Sequence, residues 1–201
     1  MLVLRSSTTS PFARKIRIAI SILGLEDEIR VENADTLDPK DSVRQQNPLG
    51  KIPTLVLDDG STLFDSRVIL EYLDQHAGGG RILPKAGAAR LEALRQQALA
   101  DGIMDAGILR VYEGRFRPAE KHEPKWVDHQ AEKMSRALAA FEKAPPAFGS
   151  ALHVGHITLA CALGYLDFRF GGDWRKTHPK LVKWLHEFAD KVPAFADTAP
   201  H

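Results

Sequence analysis

The chain has a single cysteine, Cys161, in 201 residues. A lone thiol excludes an intramolecular disulfide and any CxxC redox pair. No run of about 18 apolar residues occurs, so no membrane span is expected. A charge excess is missing too. Lys plus Arg number 27 and Asp plus Glu 26, whereas a nucleic-acid binder normally carries a basic surplus or stripe. The opening MLVLRSSTTS lacks the basic and apolar regions of a secretory leader and reads as a strand, so a cytoplasmic location is expected. No tyrosine precedes Tyr72. No metal site is expected either. His153 and His156 stand three apart, but only Cys161 is near them and no acidic residue is, so loop or helix-cap roles fit better.

What is present is an apolar fraction of 44%, enough for a packed core. Residues 1–76 alternate strand-like and helix-like pieces. Leu2-Val3-Leu4 suits a buried strand. Ser10-Pro11 is a helix start, with Ser as N-cap and Pro at the first helical position. Over 11–24 one stripe holds Ile16, Ala19, Ile20 and Leu23, and a second holds Ile18, Ile22 and Leu25. A helix apolar on two flanks packs against two neighbours. Residues 28–33 alternate as a strand, and the polar 39–46 allows a helical turn or two. Asp58-Asp59-Gly60 is a hairpin turn between two short strands, and 65–76 is helical. The order β-α-β-α-β-β-α implies a parallel pair with an antiparallel hairpin edge. Residues 77–87, with Gly78-Gly79-Gly80, read as a linker. Residues 88–201 are all helical in pattern, with helices over 88–116, 125–143, 158–170 and after Pro179.

Three motifs carry a resemblance: Ser10-Pro11-Phe12 with Arg14; Asn47-Pro48-Leu49-Gly50-Lys51-Ile52-Pro53-Thr54-Leu55; and Phe64-Asp65-Ser66 followed by Ile69, Glu71, Tyr72 and Leu73. In that order and spacing, with an all-helical tail behind them, they resemble cytosolic glutathione transferases of a bacterial, seryl type. The resemblance covers essentially the whole chain. It implies a thioredoxin-like α/β domain over 1–76, a linker over 77–87 and an all-α domain over 88–201. It also implies glutathione as co-substrate, a hydrophobic electrophile in a pocket between the domains, a homodimer, and a role in detoxification.

Each motif has a physical task. The resemblance implies a cis Ile52–Pro53 bond, which turns the Ile52 backbone outward to pair with the cysteinyl peptide of glutathione. Asp65-Ser66 opens a helix. Its free N–H groups and the Ser66 hydroxyl suit the γ-glutamyl carboxylate, and Asp65 suits the ammonium. Ser66 also fits a plain N-cap. Lys51 is matched to the glycyl end, while Asn47 shapes the turn before Pro48. Ser10 is assigned to the thiol, with Thr9 as alternative and Thr8 or Ser7 behind. The tyrosine-type mechanism is disfavoured, and Ser in place of Cys disfavours thiol exchange. Phe12, Met104, Ile108 and Tyr112 are candidates for the second-substrate pocket. Asp101 and Asp105 are read as exposed or as dimer contacts rather than an acid–base pair. Thr158 is read as the N-cap of its helix, with Cys161 standing where a reciprocating acid is common. Two rival functions stay open: a non-catalytic glutathione- or partner-binding member, and a glutathione-dependent isomerase.

Overall fold

The computed structural model describes residues 1–149 and 151–201. Strand β1 (Leu2–Ser6) leads through helix α1 (Pro11–Leu23) into β2 (Ile29–Asn33). A crossover helix of this kind returns the chain parallel, and β1 pairs β2 in parallel register from Leu2↔Ile29 to Ser6↔Asn33. The short α2 (Val43–Gln46) precedes β3 (Thr54–Val56), β4 (Thr62–Leu63) and α3 (Ser66–His76). Gly60 takes φ 82 in the hairpin turn, and β3 runs antiparallel to both β4 and β1. The sheet order is β2-β1-β3-β4. This is a thioredoxin-like α/β unit.

Helix α1 is where the two halves meet. Gly24 ends it in the left-handed conformation, φ 70, its N–H bonding back to Ile20 O and Ser21 O. The core positions of both stripes are buried, with Ile16, Ile18 and Ala19 at 0% exposure. One flank meets α3, and the other meets helices of the second half. Segment 39–46 docks by charge. The buried Arg5 guanidinium donates to Asp41 Oδ1 and Gln46 Oε1, each at 2.9 Å, and to Asn33 O at 3.2 Å. The link between the halves is ordered by one carboxylate. Buried Asp74 accepts from the N–H groups of Gly80, Arg81 and Ile82 at 2.7, 2.9 and 2.7 Å.

The second half holds α4 (Gly87–Phe116), α5 (Pro124–Lys143), α6 (Val154–Phe170), α7 (Pro179–Lys191) and the short α8 (Ala194–Asp197). Every residue of α6 from Val154 to Leu166 is buried, against α4, α1 and α7. A Cβ at Gly164 would lie 2.5 Å from Arg14 Nη1, so a larger residue there would force the guanidinium to shift. Arg14 in turn stacks 4.1 Å from the Phe195 ring and donates to Phe195 O and Thr198 Oγ1, fastening the C-terminal tail to α1.

One helix start differs from expectation. Helix α6 begins at Val154, not Thr158, and His153 is its N-cap. Gly155 N–H donates to His153 Nδ1 at 3.1 Å, and His153 N–H donates to His156 Nδ1 at 3.2 Å. The reciprocal cap therefore exists, built from ring nitrogens that the usual Ser/Thr/Asp/Asn signature omits. Thr158 sits inside the helix and donates to Val154 O at 2.7 Å. Both rings must be neutral at Nδ1 to accept. Burial lowers the His153 pKa to about 4 and also lowers that of His156. A histidine with a depressed folded-state pKa contributes stability above its unfolded value, lost as pH falls toward the folded one. Tm should therefore drop between about pH 6.5 and 4 by more in the wild type than in His153→Ser, which keeps a cap but cannot titrate. Thermal melts across that window check it.

Candidate functional site

A cleft of about 400 Å³ opens where α1, the loop before β3, α4 and α6 face one another. Ser10 stands at its base. Its backbone is extended, φ −81 and ψ 119, and its Oγ accepts from Ala13 N–H at 3.2 Å. A hydroxyl has one proton and two lone pairs, so the cap bond leaves the Ser10 O–H free to donate. Ser7 and Thr9 also line the cleft, whereas Thr8 donates to His201 O at 3.3 Å. Thr8 and Cys161 border a smaller void behind Ser10. Burial pushes the Cys161 thiol up to about 11, as expected of a packing residue.

The loop before β3 is held by Asn47. Its Nδ2 donates to Lys51 O at 2.9 Å, and its Oδ1 accepts from Leu49 N–H at 3.0 Å. Ile52–Pro53 is cis. Among the described residues, the Ile52 N–H and C=O make no main-chain hydrogen bond. Lys51 and Ile52 line the cleft; Pro53 is buried behind them.

Asp65, not Ser66, is the N-cap of α3, accepting from Arg67 N–H at 2.8 Å. Partial burial works against its ionisation, but the Arg67 bonds outweigh that and hold its carboxyl below the usual range. Ser66 is buried, and its Oγ accepts from Lys15 Nζ at 3.0 Å. Lys15 Nζ also donates to Asp101 Oδ1 at 2.6 Å, with the lysine at 0% exposure. Asp101 is therefore buried and paired, contrary to the exposed or dimer-contact role expected of it. Burial raises its carboxyl pKa against the pull of Lys15 and Arg67. Asp101 Oδ2 is buried without a hydrogen-bond partner.

The upper wall carries Phe12, Ile108 and Tyr112, together with Asp105, Tyr165, Arg115 and Arg169. Met104 is not among them. It is fully buried, because the cleft opens on α4 only from Asp105 onward and the preceding turn faces the core. Sequence reading missed Lys15, Tyr165, Arg115 and Arg169. For Lys15 the signal existed: it stands three residues before Ile18 and continues the Ile18–Ile22–Leu25 stripe. Arg115 likewise follows Ile108 and Tyr112 at helical spacing, and Arg169 follows Tyr165 by four.

Residues 9–76 match the glutathione S-transferase N-terminal domain and 124–187 the glutathione S-transferase C-terminal domain. The chain belongs to the glutathione S-transferase family. It is 37% identical over 200 residues, 96% of each chain, to the uncharacterized GST-like protein YibF of Escherichia coli (strain K12). A glutathione transferase family member from Pseudomonas fluorescens Pf-5, solved with bound glutathione, superposes over the whole of both chains with TM-score 0.93 and 42% identity. A second structure from that organism, with bound S-(propanoic acid)-glutathione, gives 0.89 and 41% over the whole of both chains.

Among glutathione transferase folds, the stability of this one should depend on its buried charge pair. Lys15→Met removes the near partner of buried Asp101, leaving only Arg67 Nε at 3.8 Å from its Oδ2, and should cost about 3–5 kcal/mol. Lys15→Met with Asp101→Leu should recover much of that. Urea midpoints at unchanged slope measure both.

Proposed function

We propose that the protein is a glutathione transferase that joins the glutathione thiolate to small, largely hydrophobic electrophiles. The observation that carries this reading is the Ser10 hydroxyl. It stands at a helix N-terminus on the cleft wall, with its lone pair committed to Ala13 N–H and its proton uncommitted. A free thiol has a pKa of about 8.5, and a helix N-terminus favours its anion. A hydroxyl donated to the thiolate lowers the pKa further, at about 1.4 kcal/mol per unit.

The residues present fit glutathione along its length. The free N–H and C=O of Ile52 suit the cysteinyl peptide. Ser66 repeats the logic of Ser10. Its oxygen accepts from Lys15, so its proton and its own N–H remain for the γ-glutamyl carboxylate. Asp65, ionised and exposed, suits the ammonium, and exposed Lys51 suits the glycyl carboxylate. Pro53 acts by shaping the Ile52 backbone. Phe12, Ile108 and Tyr112 supply apolar wall for the electrophile. The thiolate attacks carbon directly, and the protein contributes alignment and charge stabilisation without a covalent enzyme intermediate. The S-(propanoic acid)-glutathione held by the Pseudomonas relative supports a site in which the sulfur carries an added group.

We include in the proposal a homodimer, a cytoplasmic location and a detoxifying role, with domains over 1–76 and 88–201 joined by 77–87. Exposed Val68 on α3 and Leu91 on α4 support the dimer. No helix among the described residues is long and apolar enough to cross a membrane.

Ser10→Gly keeps most of the cap but removes the donor. It should lower kcat/KM for chlorodinitrobenzene roughly 10- to 100-fold, the worth of a hydrogen bond to a charged group. The pKa of bound glutathione, read from thiolate absorbance, should rise by about one unit. Thr9→Val should change little; the reverse pattern transfers the role to Thr9. Glutathione binding without turnover over a broad electrophile panel would select the non-catalytic alternative, and maleylacetone isomerisation the isomerase one.

A further inference from the structure

The cleft wall is not only apolar. Its charged residues are Lys51, Arg115, Arg169 and Asp105, three cations to one anion. The arginines of this protein are mostly committed. Arg5, Arg30, Arg67, Arg90, Arg95, Arg117, Arg136 and Arg175 are ion-paired. Arg14, Arg17, Arg44 and Arg81 donate to main-chain carbonyls. Among the described residues, Arg110, Arg115 and Arg169 have neither kind of acceptor; Arg110 lies outside the cleft against Met134 and Phe170, whereas Arg115 and Arg169 face it. Each of these two lies against an aromatic face instead: Arg115 Cζ is 5.4 Å from the Tyr112 ring centroid, and Arg169 Cζ is 4.2 Å from that of Phe168. Arg169 Nε is buried without a hydrogen-bond partner. A guanidinium stacked on a ring keeps its N–H edge for a planar, bidentate acceptor such as a carboxylate.

Both arginines line the cleft together with Tyr165. Burial raises the Tyr165 phenol; Arg169, by its charge and by a side-chain hydrogen bond, and Arg115, by its charge, oppose that rise. Tyr165 borders the main cleft and also the small void shared with Thr9 and Ser10. Arg169 lies one helical turn further on, about 6 Å along α6. Asp105 does not neutralise the pair. It precedes Arg115 by ten residues, about 15 Å along α4, and its own carboxyl is raised by burial and then by Asp101.

We infer that the electrophile carries a carboxylate, bound by Arg115 and Arg169 beside Tyr112 and Tyr165, in the same cleft as Ser10. The inference rests on the transferase reading and deepens it. It names the substrate class as acidic electrophiles, whose apolar body lies on Phe12 and Ile108.

Isothermal titration with S-(para-carboxybenzyl)glutathione and its neutral isostere S-(para-nitrobenzyl)glutathione tests it, with glutathione as control. The acid should bind the wild type at least tenfold more tightly than the isostere. That preference should shrink with added salt and disappear in Arg115→Gln/Arg169→Gln, with circular dichroism checking the fold of the variant. Equal affinity of the two conjugates for the wild type overturns the inference whatever the variant does. So does a preference that survives in a folded double variant. Failure of glutathione itself to bind removes the transferase reading and this inference together; glutathione binding without acid preference removes only the latter.

Discussion

An ammonium group with no exposed surface holds the two halves of this protein in register. Lys15 Nζ on α1 donates to Asp101 on α4 and to Ser66 at the start of α3. A buried charge is costly unless paired and hydrogen-bonded, so the arrangement survives only if all three helices keep their relative positions. The sheet alone does not impose this, because β3 contacts α3, while the Asp101 carboxylate belongs to α4 of the second half. Gly164 adds to this, since it leaves room on α6 for the Arg14 guanidinium where it reaches the C-terminal tail.

Two serines share one division of labour, Ser66 at the start of α3 and Ser10 on the cleft wall. Ser66 gives its oxygen to Lys15, and Ser10 gives its oxygen to Ala13 N–H. Each retains its proton. A hydroxyl fixed through its lone pair is an oriented donor, and an oriented donor stabilises an anion without reorganising. Capping and anion binding at Ser10 are therefore not competitors: they use different parts of one hydroxyl.

The cleft beside Ser10 combines apolar wall with uncommitted cation. Phe12 and Ile108 remove area from water, while Arg115 and Arg169 are stacked on rings rather than paired. Elsewhere the chain commits nearly every arginine to a carboxylate or a main-chain carbonyl. The contrast distinguishes these two from arginines that hold the fold together.

Much of the fold was legible in the chain because it rests on local chemistry. Ser10-Pro11 and Gly24 mark the ends of α1, the doubled apolar stripe marks a helix between two neighbours, and Asp58-Asp59-Gly60 marks the hairpin. The order of the three motifs was enough to imply the family. Element ends shifted where the chemistry was unusual, as at His153, whose ring nitrogen caps α6 in place of a hydroxyl. What only the tertiary structure decided were the long-range pairings. A lysine in an apolar stripe does not say which carboxylate, eighty-six residues away, will meet it. Met104 and Ile108 share a helix face, yet one turn is core and the next is cleft wall. Periodicity specifies which face of a helix is covered; how far along that face the cover extends depends on where other helices cross it.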